Sequence, residues 1–284
     1  MKINSNTKTI CLLGHPIKQS FSPSIHNYLF EKYNENFIYV CFDVNPNMLG
    51  NAVEGIKSMN MKGCNITIPH KVEVMQFLDE VDKNAKLIGA VNTIKNEGGI
   101  LKGYNTDGKG FVKSILDKGY KIENKNIMII GAGGACRSIA VELASNNASS
   151  IEIRNRSSEK AIEIIKIINN NFNTKASFLT DEIRKVDLDS IDILINTTPI
   201  GMGNNECPID ENIVPKEDLL VCDIVYKPHD TNFIKWANKN GLNVIYGIEM
   251  LINQGLEAFY IWTDISPTAE DYNVIKNIYL DSIK

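Results

Sequence analysis

The sequence predicts a two-domain α/β fold, with a mostly parallel sheet in the first half and a doubly wound, Rossmann-type sheet in the second. Three observations predict it. Apolar strand-like runs alternate with amphipathic helical stretches along the chain, the pattern of a sheet covered by helices on both faces. One such run, 127–130, enters the glycine turn Gly131-Ala132-Gly133-Gly134-Ala135 directly before a helix. A length of 284 residues favours two domains of ordinary size over one.

In the first half, 10–13, 37–42 and 64–68 read as strands and 23–33 and 48–58 as helices, followed by a hairpin that turns at Gly98-Gly99. A helix over 108–118 and the polar stretch Glu123-Asn124-Lys125 separate this series from the next. The second series reads as strands at 127–130, 151–153, 191–195, 219–225 and 244–246. Two further helical stretches, 249–261 and 269–283, lie too far past the last strand for a nucleotide-binding core to need them.

Composition narrows the function class. A hydrophobic fraction of 43% and a charged fraction of 23% are those of an ordinary globular protein. The formal net charge of −4 argues against a nucleic-acid partner, which needs a basic face. Six cysteines are scattered without a CxxC pair or a histidine cluster; they read as buried thiols in a reducing compartment, with no metal and no disulfide framework. No segment approaches the apolar length of a membrane span and the N-terminus lacks an apolar leader core, so the expectation is a cytoplasmic protein.

The glycine turn points to a dinucleotide. Gly131 permits the sharp turn, Gly133 lets backbone N–H groups approach a pyrophosphate, and the following helix offers its positive N-terminal end to that anion. The third fingerprint position holds Cys136 instead of glycine or alanine, a departure from the pattern. About twenty residues on, where an acidic side chain normally accepts from the ribose of NAD, the chain has Arg154-Asn155-Arg156-Ser157-Ser158, with Lys160 beyond. Guanidinium, amide and hydroxyl groups suit a 2′-phosphate, which makes NADP the expected cofactor. A solvated basic turn capped by Ser157 or Ser158 is the plainer reading.

Four clusters in the first half carry further polar chemistry. Ser20 and Ser22 stand at i and i+2 with Pro23 biasing Ser22 toward extended backbone, so both hydroxyls can face one carboxylate; alternatively Ser22 is a helix N-cap with proline after it. In Asn65-Ile66-Thr67-Ile68-Pro69-His70-Lys71 the alternation sends Asn65 and Thr67 to one face, with Lys71 at the strand's end. His70 reads as a structural or exposed histidine and Lys71, taken alone, as surface charge. Ala90-Val91-Asn92-Thr93 and Asn105-Thr106-Asp107-Gly108 also fit turn and capping chemistry.

Taken in order, these motifs closely resemble shikimate dehydrogenases. The resemblance runs over nearly the whole chain: the serine pair, the Asn-x-Thr-x-Pro-x-Lys run, Ala90–Thr93 and Asn105–Gly108, the glycine turn, Asn155-Arg156-Ser157, Asn196 through Met202, and Gly247 with Gln254. It implies that residues 1–106 plus 247–284 form a substrate domain, that 107–246 form the NADP domain, that the late helices pack back on the first domain and that the active site lies in the cleft between the two. The activity implied is reversible reduction of 3-dehydroshikimate to shikimate by NADPH. Lys71 and Asp107 would be the acid/base pair. Ser20 and Ser22, with Tyr226 as a third donor, would hold the substrate carboxylate, and Asn65, Thr67, Asn92, Asp107 and Gln254 the ring hydroxyls. The cofactor would meet Gly131, Ala132, Gly133, Gly134, Ala135, Asn155, Arg156, Ser157, Lys160, Thr197, Val225 and Gly247, with Met202 near the nicotinamide. The implied partner is a small-molecule substrate, with no nucleic acid and no membrane, in a monomer or homodimer. A paralogue that oxidises quinate or uses NAD, and a non-catalytic NADP- or metabolite-binding regulator, are the alternatives.

Overall fold

The computed structural model describes residues 3–18, 20–180 and 183–284, apart from the side chains of residues 185 and 186. The chain divides into two compact units, Met1–Thr106 with Ile252–Lys284, and Asp107–Leu251.

The first unit contains β1 (Lys8–Gly14), α1 (Ser22–Lys32), β2 (Phe37–Asp43), α2 (Leu49–Ser58), β3 (Gly63–Ile66), β4 (Glu80–Val81), α3 (Lys83–Ile88), β5 (Thr93–Glu97) and β6 (Ile100–Tyr104). Its sheet runs β2-β1-β3-β5-β6-β4. Three pairings are parallel, and the two that involve β5 are antiparallel because β5 and β6 form the hairpin at Gly98-Gly99. Both glycines take positive φ, +63° and +96°, the left-handed region open to a residue without Cβ. Residues 10–13 of β1 are buried throughout, as a central strand covered on both faces must be. On α1, Ser22, Ile25, His26, Leu29 and Phe30 are buried, the i, i+3, i+4, i+7, i+8 stripe of an amphipathic helix.

Two expected details differ. The strand expected over 64–68 ends at Ile66, and Ile68 is 73% exposed, so it does not share an inner face with Cys64 and Ile66. The two-residue β4 and the short α3 carry too little periodicity to be read from sequence.

The second unit is built from α4 (Asp107–Leu116), β7 (Asn126–Ile130), α5 (Gly134–Ser145), β8 (Ser150–Arg154), α6 (Glu159–Asn171), β9 (Lys175–Leu179), α7 (Lys185–Leu188), β10 (Ile193–Asn196), β11 (Leu220–Asp223), α8 (Asn232–Lys239) and β12 (Asn243–Ile245). Every pairing in the sheet β12-β11-β10-β7-β8-β9 is parallel. Ile127 and Ile129 of β7 join the core on one face while Met128 and Ile130 join the core on the other, which is why the strand reads as one unbroken apolar run. The strand order reverses between β7 and β10, and ligands of open parallel sheets bind outside the strand ends at such a reversal.

The chain ends with α9 (Gly247–Thr263) and α10 (Ala269–Ser282). The compact units part inside α9, after Leu251, and not at its start at the expected residue 247. The first turn of α9 belongs with the second unit because Met250 packs into that unit's core and buried Glu249 lies 3.1 Å from Lys118 Nζ. At the other end, buried Asp271 of α10 ties that helix to α1 by accepting from Lys32 Nζ and Tyr33 Oη, both at 2.7 Å. Burial pushes this carboxyl up, but those bonds, together with the Thr268 backbone and hydroxyl, outweigh it and bring it to about 2. Among the described residues no helix is long and apolar enough to cross a membrane.

Candidate active site

The strand-order reversal of the second unit opens into a cleft of about 380 Å³. Gly131, Ala132 and Gly133 form its floor with Ile130 of β7, and Thr197 to Ile200, the loop after β10, form one wall. Gly131 cannot be another residue. Its φ is +104°, and a Cβ would lie 2.7 Å from Thr197 Oγ1 and 2.9 Å from Thr198 Cγ2. Thr197 in turn bonds Ile130 O through both its backbone N, at 2.9 Å, and its hydroxyl, at 2.8 Å, so the turn and the wall are held together. Gly133 has open space where a Cβ would stand, and it directly precedes α5, leaving a place for an anion at the helix N-terminus.

Cys136 at the third fingerprint position is fully buried in the core beneath α5, and burial raises its thiol to about 12. The close backbone contact of this region is made elsewhere. A Cβ on Gly108 of α4 would come within 2.4 Å of Ser138 O of α5.

The basic turn supplies the opposite wall of the cleft through Arg154, Asn155 and Arg156. Arg154 is 5% exposed and pinned by Glu152, with Nε to Oε1 at 2.7 Å, and by Asp187 at 3.5 Å. Arg156 is exposed. Asn155 braces the turn by donating to Ser157 O at 2.8 Å and Ser157 Oγ at 3.3 Å. Ser158 holds the N-cap position of α6 but makes no side-chain cap bond, so the capping explanation of its hydroxyl fails. Thr180, Ile183 and Pro208 complete the lining. Sequence reasoning missed them because β9, which delivers Thr180, is an edge strand of alternating partial exposure with no apolar run. Gly134, Ala135, Ser157, Lys160, Val225 and Gly247 do not line this cleft.

The last two of these sit where β11 and β12 end. A Cβ on Gly247 would lie 2.5 Å from Ile224 O and 2.6 Å from Val225 O, so glycine there admits close approach of α9 to the backbone after β11. Met202 is 61% exposed, so its side chain is not packed into the core of the unit. Tyr226 is partly buried in the second unit, and burial raises its phenol. Asp223, 1% exposed, accepts hydrogen bonds from three groups and is raised to about 6 by burial.

Within the first unit the polar clusters converge. Asn65 donates to Asn92 O at 3.1 Å and Thr93 Oγ1 at 3.0 Å, while its Oδ1 accepts from Tyr39 Oη at 2.7 Å. Asn92 Nδ2 donates to Thr106 Oγ1 at 2.9 Å and to Gln254 Oε1 at 3.5 Å. Its Oδ1 accepts from Thr106 N at 2.8 Å. Asn65, Asn92 and Gln254 therefore belong to one buried network, and Thr93, Thr106 and Tyr39 support them. Thr67 bonds Leu13 O through its backbone N, at 2.9 Å, and its methyl faces Gly14. Lys71 is half-buried, with its carbonyl accepting from Val91 N at 2.8 Å. His70 is structural: it is 1% exposed with Nε2 2.8 Å from Val44 O.

The serine pair resolves in favour of neither a cap nor a simple strand. Ser22 is the first residue of α1, Phe21 holds the N-cap position, and no side chain caps the helix. Ser20 Oγ accepts from Ser22 N at 3.2 Å, so the two residues are linked at the helix start. Asp107 is 5% exposed and opens α4 in the second unit. Among the described residues no group of three or more histidine, cysteine or acidic side chains could hold a metal.

A parallel six-stranded sheet in this order, with a glycine turn at its reversal and a basic turn on the next strand, defines a dinucleotide-binding α/β protein that carries a second α/β unit. Family models for the shikimate dehydrogenase substrate binding domain, shikimate/quinate 5-dehydrogenase and the shikimate 5′-dehydrogenase C-terminal domain match residues 12–94, 111–202 and 247–271. The chain belongs to the shikimate dehydrogenase family. It is 46% identical over 287 residues to the shikimate dehydrogenase (NADP(+)) of Methanocaldococcus jannaschii, covering 99% of each chain. Among solved structures it resembles a shikimate dehydrogenase in complex with NADP+, with a TM-score of 0.91, 44% identity and coverage of 100% of this chain and 98% of the other. The Listeria monocytogenes shikimate 5-dehydrogenase in complex with shikimate and NAD gives the same TM-score of 0.91 at 32% identity, covering 98% of each chain.

Proposed function

We propose that this chain is an NADP-dependent shikimate dehydrogenase that interconverts 3-dehydroshikimate and shikimate in chorismate and aromatic amino-acid biosynthesis. The cleft that joins the Gly131–Gly133 turn to Asn155 and Arg156 carries the reading, because it offers a pyrophosphate site and a cation for a 2′-phosphate on adjacent strands. Residues 107–251 form the NADP domain, and 1–106 with 252–284 the substrate domain.

NADPH, when bound, supplies the hydride. Within the cleft, Gly131 to Gly133 would hold its pyrophosphate, Asn155 and Arg156 its adenosine end, and Thr197 would border it, while Gly134, Ala135, Ser157, Lys160, Val225 and Gly247 would meet it outside that lining. Ser20, Ser22 and Tyr226 donate to the substrate carboxylate. Asn65, Thr67, Asn92, Asp107 and Gln254 take the ring hydroxyls, each of which would cost on the order of 1–3 kcal/mol if buried without a partner. Lys71 as ammonium stabilises the oxyanion that develops at C3 and donates the proton, and Asp107 binds a ring hydroxyl and completes the acid/base pair. The six cysteines are free thiols, which fits a cytoplasmic enzyme, and its assembly is a monomer or homodimer.

Ser22→Ala checks the serine assignment. Uniform binding of ground and transition states appears in KM, so KM for shikimate should rise by about ten-fold, near the upper end for one ordinary hydrogen bond, with kcat little changed. An unaltered KM would remove Ser22 from the carboxylate site. The function itself is tested by initial rates of nicotinamide reduction with shikimate or quinate and NADP or NAD. Turnover should be fastest with shikimate and NADP; faster turnover with another pair would overturn the assignment.

A further inference from the structure

We propose that Asp223 is a positioning residue for the dinucleotide: its carboxylate ties the loop after β10 to the loop after β11 and so holds one wall of the cofactor cleft in shape. The inference rests on the assignment of that cleft to NADP.

The tie begins in strand register. β10 and β11 are parallel neighbours with Asn196 opposite Asp223, each the last residue of its strand. Asn196 Nδ2 donates to Asp223 Oδ1 at 3.0 Å, and Val225 N donates to the same oxygen at 3.0 Å. Thr231 Oγ1, at the cap of α8, donates to Oδ2 at 2.7 Å. Asn196 Nδ2 and Val225 N can only donate, and the Thr231 hydroxyl donates while accepting from Ile234 N at 3.2 Å. A carboxylate accepts from all three at once, whereas an amide at 223 would have to turn its N–H group toward Thr231 and reverse that hydroxyl's role.

The carboxylate thereby fixes which way the Asn196 amide points. With its nitrogen toward Asp223, its Oδ1 accepts from Thr198 N at 3.0 Å and Thr198 Oγ1 at 2.7 Å. The loop then closes on itself, as Ile200 N donates to Thr198 Oγ1 at 3.2 Å and Asn196 Nδ2 reaches Ile200 O at 3.3 Å. Thr197, Thr198, Pro199 and Ile200 line the cleft, while Asp223 does not. Its effect on the cofactor therefore passes through the loop.

Stability alone does not account for the group. Asp223 is 1% exposed, and the groups that act on its carboxyl are Thr231, Val225 and Asn196, with no lysine or arginine among them. An ionised carboxylate buried without a counter-charge is costly, and a well-packed apolar pair would serve the core as well. What the carboxylate adds is a defined orientation of both loops.

The test is a fluorescence titration of NADPH into the full-length protein, with KM for NADP and for shikimate measured in parallel. Asp223→Asn and Asn196→Ala should each weaken NADPH on the order of ten-fold, the scale of a small misplacement of a binding surface. KM for shikimate should stay within about two-fold, and the double variant should be no weaker than the single ones, because both changes cut the same connection. Should Asp223→Asn fail to fold, Asn196→Ala carries the test, since it leaves Asp223 with its other two donors. NADPH affinity equal to wild type in a folded variant, or equal losses for NADP and shikimate, would overturn the inference. Failure of the wild type to bind NADPH would instead overturn the cofactor assignment beneath it.

Discussion

Replacing Lys71 with alanine is expected to lower kcat by about 10²–10⁴, the range for losing a positioned proton-transfer group, while the protein still binds NADP and shikimate. The need for a cation grows along the reaction, because negative charge collects on the substrate oxygen only as the hydride arrives. The loss should therefore fall on kcat and much less on KM. Lys71 follows directly on His70, whose ring is fixed against Val44 O, and its own carbonyl is held by Val91 N. Truncating the side chain leaves those backbone supports in place. A variant with near-normal kcat would take Lys71 out of the chemistry and leave Asp107 as the main candidate.

Arg156→Ala should weaken NADP by about ten- to a hundredfold and leave NAD little changed, because NAD lacks the adenosine 2′-phosphate that this guanidinium is proposed to meet. Hydrogen bonds to charged groups are worth roughly 1.5–3 kcal/mol. Arg156 is exposed, so solvent screening places the effect toward the lower end, and added salt should shrink it further. Titration of both cofactors into wild type and variant checks this. Equal losses for NADP and NAD would mean that Arg156 supports the turn and does not read the phosphate. Buried Arg154, pinned between Glu152 and Asp187, remains in the variant to hold the end of β8.

What was legible in the sequence follows from burial. The runs at 10–13 and 127–130 read as strands because each is covered on both faces and admits only apolar side chains. β9 escaped notice as an edge strand of alternating partial exposure, and with it went Thr180 and Ile183 in the cleft at the strand-order reversal. Proline at 23 suggested a cap at Ser22 because proline favours the first helical position. The helix in fact begins one residue earlier, on the αR conformation of Phe21.

The site was legible where its residues are contiguous and illegible where they meet across strands. Gly131 through Gly133 and Asn155-Arg156 carry local signatures, and the cleft gathers them. Neither the bond between Asn196 and Asp223 nor the support of Asn65 by Tyr39 leaves any local trace, since each depends on the register of strands far apart in sequence.

The most direct test of the proposed activity is reduction of 3-dehydroshikimate by NADPH with the product identified by chromatography and mass. The account predicts that one shikimate forms for each NADPH oxidised, and that NADH in place of NADPH is much slower. NADPH that is bound but not consumed, or a product other than shikimate, would contradict it.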